Sequence, residues 1–161
     1  MTKFWILASC VAAAFSTTAS ANLLQEQNIP LNLAVDIAQN TIEACTKQQY
    51  SVSAAVVDRE GVLRTLLRAD NAAIHTPDAA RRKAYTAASM RTVTSTIVKN
   101  VQNPGAAQLT SIDDFLILAG GVPIKVGNET IGAIGVGGAP SGDFDEACAQ
   151  AALKQVADQL K

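Results

Sequence analysis

Leu33, Ile37, Thr41 and Cys45 recur every four residues and fall on one face of a helix that Asn32 caps and that runs to about Gln48. The period then changes. Val52, Ala54 and Val56 alternate through 51–57, the signature of a strand. Asp58-Arg59-Glu60-Gly61 reads as a turn, and Val62 to Leu67 returns as the second strand of a hairpin. After an irregular loop, Thr76 caps a second helix with Pro77 in its first turn, running to about Met90. Val93 to Val101 reads as a further helix, stopped by Asn103-Pro104-Gly105. A short strand is expected within Ile112 to Leu118. Val122–Val126 and Thr130–Val136 form a second hairpin around Gly127-Asn128. Asp143, with Glu146 three residues on, predicts a capping box that opens a last helix, with Cys148, Ala152, Val156 and Leu160 on one face. The order helix, hairpin, helices, hairpin, helix predicts one α+β domain on an antiparallel sheet.

The N-terminus follows a different logic. Lys3 precedes an uncharged apolar run from Phe4 to Phe15, and Ala19-Ser20-Ala21 gives a small-x-small site. Residues 1–21 therefore read as a secretory signal peptide cut before Asn22, leaving a flexible arm at 22–30 and a domain at 31–161. Leu7-Ala8-Ser9-Cys10 supports a lipoprotein alternative, in which Cys10 is acylated. Either reading predicts a periplasmic or secreted protein. The run is too short to cross a bilayer, which takes about 20 apolar residues, and no later segment qualifies, so no transmembrane segment is expected after signal removal.

Charge narrows the partners. Thirteen basic and 14 acidic residues give a formal net charge of −1, with no basic excess to suggest nucleic acid. Charged residues are 17% of the chain against 48% hydrophobic, which favours burial at a subunit interface. A single histidine, His75, excludes multi-histidine zinc sites. The glycines between Gly132 and Gly142 lack the lysine–serine/threonine ending of a phosphate loop and have no βαβ frame. They suit close backbone approach, or a ligand lying flat over the sheet. No serine stands in a nucleophile elbow to make a triad with His75 and Asp78. No catalytic constellation is recognisable.

Four blocks, in order, resemble the GlcG/HbpS-like family of haem-binding proteins. They are Ala54-Ala55-Val56-Val57-Asp58-Arg59-Glu60-Gly61; Arg68-Ala69-Asp70-Asn71-Ala72 with Ala80-Arg81-Arg82-Lys83-Ala84-Tyr85-Thr86-Ala87; Gly120-Gly121-Val122-Pro123-Ile124 with Ile131-Gly132-Ala133-Ile134-Gly135-Val136-Gly137-Gly138; and Asp143-Phe144-Asp145-Glu146-Ala147-Cys148. The resemblance spans nearly all of 31–160. It implies a profilin-like three-layer α/β/α sandwich around a five-stranded antiparallel sheet, assembled as a homo-oligomer. It also implies haem as a cofactor, in storage, transfer or sensing. The alternatives are a haem-degrading enzyme, an enzyme acting on a small carboxylic metabolite, and a non-catalytic accessory protein.

Under this resemblance His75 is the candidate iron ligand, with Ala72, Ala73 and Ile74 beside it to pack on a porphyrin, or else a surface or N-capping histidine with no ligand. Arg68, Arg81, Arg82 and Lys83 flank the loop and suit the propionates of haem or a small carboxylate ligand, or else form an ordinary solvated face. Tyr85 and Met90 offer an aromatic wall and a soft ligand, or simple packing. Asp143, Asp145 and Glu146 offer carboxylates to a divalent ion, or the capping box. Cys45 and Cys148 lie on helices that the implied fold packs on one side of the sheet; they form either a disulfide or two buried free thiols.

Overall fold

The computed structural model describes residues 22–161, so the predicted signal peptide and Cys10 lie outside the described residues. Helix α1 (Leu31–Thr46) leads into strands β1 (Ser53–Asp58) and β2 (Leu63–Arg68). Helices α2 (Thr76–Met90) and α3 (Thr94–Asn100) follow, then β3 (Gly121–Val126), β4 (Glu129–Gly137) and α4 (Gly142–Gln155). The strands form one antiparallel sheet in the order β2-β1-β4-β3.

Every residue of β1 is buried, and its side chains alternate between two packing environments. Val52, Ala54 and Val56 join a core with Leu33, Ile37 and Cys45 of α1 and Cys148 and Ala149 of α4. Val57 instead packs with Ala84, Ala87 and Ala88 of α2 and Ala133 of β4. The alanine face of α2 meets glycine on the sheet, which brings the two backbones together. A Cβ at Gly135 would fall 2.1 Å from the carbonyl oxygen of Ala80, and one at Gly121 would fall 2.4 Å from that of Lys83. Close backbone approach is thus the role of these two glycines.

The sheet has four strands among the described residues, not the five implied by the resemblance. The fifth, expected within Ile112 to Leu118, is replaced by a 3-10 turn at Ala107–Ser111 and an irregular stretch in which Asp114 takes a left-handed φ of 64°. Some of its backbone groups are satisfied by local turns, and others from α2: Arg82 donates to the Phe115 carbonyl at 2.8 Å, and Thr86 Oγ1 accepts the Leu116 N–H at 2.9 Å. With those bonds made, no sheet edge is needed.

The helix starts also differ from expectation. Pro30 rather than Asn32 precedes α1, and Ser141 rather than Asp143 precedes α4, neither with a side-chain cap. Glu146 does not fold back as a capping box. It accepts from Ser95 Oγ at 2.9 Å and ties α4 to α3. The arm at 22–30 lacks regular structure, but Ile29 is buried and donates to the Ile131 carbonyl at 3.0 Å. Arg59 holds the arm from the β1–β2 turn through Glu26 at 3.2 Å and the Gln27 carbonyl at 3.0 Å, while pairing with Glu129 at 2.6 Å. Cys45 and Cys148 are joined as a disulfide that links the end of α1 to α4. No helix among the described residues is long and apolar enough to cross a membrane.

Candidate functional site

A cleft of about 560 Å³ opens between α2 and the loop that carries β4 into α4. Thr76, Ala79 and Lys83 form its α2 wall. Spaced three and four residues apart, they share one helix face over roughly 10 Å of rise. The opposite wall is the backbone from Gly137 to Asp143, and Val98 and Leu118 add apolar surface. Gly138 turns this wall at φ 129°, where a Cβ would lie 2.7 Å from the Ser51 carbonyl oxygen. The start of α2 is fixed from below: Thr76 Oγ1 lies 2.8 Å from Ser53 Oγ on β1 and 2.8 Å from the Ala73 carbonyl oxygen. His75, the residue before α2, sits exposed at the rim with its side chain making no capping bond.

A buried ion pair stands among the residues that line the cleft. Lys83 Nζ donates to Asp145 Oδ2 at 2.8 Å and to the Val136 carbonyl at 2.9 Å. Asp145 Oδ1 accepts the Ala139 N–H at 3.0 Å. The two side chains are only 5% and 3% exposed, where charged residues are rarely found unless paired. The pair therefore joins α2, β4, the cleft loop and α4. Gly120 lies directly against it, at φ 117°: a Cβ there would approach Lys83 Nζ to 2.9 Å and Asp145 Cβ to 2.8 Å.

The residues singled out from the sequence do not all meet here. His75 and Lys83 line the cleft. Arg68, Arg81, Arg82 and Tyr85 do not. Arg68 turns its Nε to the Ala72 carbonyl at 3.0 Å, closing the loop after β2. Arg81 bonds Asp114 at 2.7 Å and Asp78 at 3.2 Å. The hydrogen bond from Arg81 holds the Asp114 carboxyl below its usual range and raises the guanidinium in turn. Arg82 grips the Phe115 carbonyl, and Tyr85 stacks edge-on against Phe115 with ring centroids 6.0 Å apart. Together these side chains pin the 112–116 stretch to α2. Met90 is exposed at the far end of the helix.

Sequence reasoning missed Asp145 as a cleft residue. Its place in an apparent capping pattern hid its pairing with a lysine 62 positions away. The three carboxylates of 143–146 diverge: Asp145 to Lys83, Glu146 to Ser95, and Asp143 to the exposed cleft wall. Among the described residues, no three His, Cys, Asp or Glu side chains converge on a metal position.

Comparison with known proteins agrees with this architecture. The family model described as haem-degrading protein HbpS-like matches residues 29–154. A 15.0 kDa Citrobacter freundii protein from the dhaT-dhaS intergenic region is 34% identical over 123 residues, covering 67% of this chain and 86% of the relative. GlcG of Escherichia coli K12 is 38% identical over 94 residues, covering 58% and 69%. The crystal structure of a double mutant of Streptomyces reticuli HbpS superposes with a TM-score of 0.81 at 39% identity, over 90% of this chain and 98% of that one. A PduOC:heme complex shares the fold at a TM-score of 0.70 and 24% identity, over 79% of this chain and 94% of the other. The chain belongs to the HbpS-like family.

Proposed function

We propose that this chain is an exported haem-binding protein that takes the porphyrin in the cleft along α2, with His75 as an axial iron ligand. The observation that carries the reading is the pairing of that cleft with its rim. Its volume of about 560 Å³ falls within the range of small-molecule sites, roughly 300–1,000 Å³. Ala73, Ala79, Val98 and Leu118 offer apolar surface to a flat ring, and a histidine stands at the mouth. Leu118 is 52% exposed, so part of that surface is open to solvent. Imidazole is a common protein ligand to haem iron. These residues fit the group, and haem binding agrees with the family membership.

Export is supported by the signal-like pattern of residues 1–21 and by the Cys45–Cys148 disulfide, which suits an oxidising compartment. The described helices and four-stranded sheet fit a profilin-type α/β/α layering. Assembly into a homo-oligomer is supported by apolar side chains left open at the β2 edge, Val62 at 60% and Leu63 at 44% exposure.

Titration with hemin, followed at the Soret band, tests the reading. Saturable binding at micromolar hemin is expected, with a spectrum that changes in His75→Ala. Absence of saturable binding overturns it. The family's description as haem-degrading favours a second reading, catalytic breakdown. Loss of the Soret band with a reductant and oxygen, yielding a bilin, would select that reading over storage or transfer.

A further inference from the structure

We propose that the Lys83–Asp145 pair is the ligand-anchoring group of the cleft, and that Lys83 donates a hydrogen bond to a carboxylate of the bound molecule. The inference deepens the proposed function, and rests on it, by assigning the acidic end of the ligand to a group within this cleft. It begins from an energetic oddity. A buried ion pair is commonly replaceable by packed apolar side chains at no loss of stability, and often with a gain. A pair kept among the lining residues of a cleft of about 560 Å³ is thus a functional candidate.

The donor count points the same way. An ammonium has three N–H donors and no acceptor. Lys83 uses one on the Val136 carbonyl and one on Asp145, which leaves one for a ligand. The two bonds already made fix Nζ in place, so little side-chain entropy remains to be lost on binding. None of Arg68, Arg81 and Arg82 lines this cleft, so Lys83 is the lysine or arginine within it among the described residues.

The carboxylate has two sources, a haem propionate or a free small carboxylic acid. Hemin and hemin dimethyl ester, whose propionates are blocked, are titrated into the wild-type protein, Lys83→Met and the double variant Lys83→Met/Asp145→Asn. The double variant removes both charges while leaving Asp145's bond to the Ala139 amide available, so it guards against misfolding from a lone buried carboxylate. A parallel arm follows thermal unfolding of the same proteins with millimolar acetate or lactate.

A propionate source predicts that the wild type binds hemin about tenfold or more tighter than the ester, and that both variants erase the difference. A free-acid source predicts equal affinity for hemin and ester, together with acetate or lactate stabilisation of the wild type that the double variant lacks. Absence of both effects in a wild type that binds hemin would overturn the anchoring role and leave the haem reading standing. Failure of hemin and ester alike to bind, with acid stabilisation retained, would overturn the haem reading and leave the anchor.

Discussion

Opening the Cys45–Cys148 bond tests how the two ends of the domain are held. The crosslink spans a sequence separation of 103 residues, from the end of α1 to the first half of α4. In the chain-entropy treatment, closing a loop of about a hundred residues lowers the entropy of the unfolded chain by an amount worth roughly 4.7 kcal/mol at 25 °C. Both cysteines are fully buried in the core that contains Leu33, Ile37, Ala149 and Ala152, so the folded contacts persist when the bond is opened. The perturbation is reduction rather than mutation, because it keeps the composition unchanged. Oxidised and reduced protein are compared by urea unfolding. Reduction is expected to lower the unfolding free energy by about 4 kcal/mol and to raise the denaturant slope, since an uncrosslinked unfolded chain exposes more surface. Coincident midpoints in the two forms, with thiol titration confirming reduction, would refute the reasoning.

Three further outcomes are expected. Gly135→Ala places a methyl 2.1 Å from the Ala80 carbonyl oxygen and 2.5 Å from the Ala84 nitrogen, so α2 must lift off β4. A loss of about 3 kcal/mol, the upper end of the overpacking range, is expected in urea unfolding. The Arg59 hydrogen bond and the Gln27 amide hold the Glu129 carboxyl below its ordinary value. A depressed folded-state value gives stability that is present above the unfolded value and is lost as pH falls through the folded one. Acid unfolding of the wild type below about pH 4 is therefore expected to be steeper than that of Arg59→Met. Arg81→Ala, which releases Asp114, is expected to loosen the 112–116 stretch in hydrogen exchange and to leave hemin affinity unchanged.

Short-range order is written in this sequence. The four-residue period of α1, the alternation of β1, the Gly127 hairpin and the glycine-broken run of β4 are local signals, and each produced its element within a few residues. The fifth strand fails for a physical reason that local propensity does not carry. The segment 112–118 is apolar enough to pair in a sheet, but local turns and the side chains of Arg82 and Thr86 on α2 take up backbone groups that a strand would pair. The capping box fails in the same way, because Glu146 finds Ser95 across a helix contact.

The cleft divides along the same line. His75 stood out in the sequence because it is the only histidine and precedes a helix start. Arg81, Arg82 and Lys83 look equivalent in one dimension, yet helix rotation sends them apart. Arg81 and Arg82 meet the 112–116 stretch, while Lys83 turns inward to Asp145. Composition and periodicity determined the four helices and the two hairpins, and which side chains are apolar. The tertiary structure decided which charges are buried and paired, and that Cys45 and Cys148 are bonded rather than free. Those outcomes depend on distances between residues far apart in the chain, and a sequence pattern does not encode such distances.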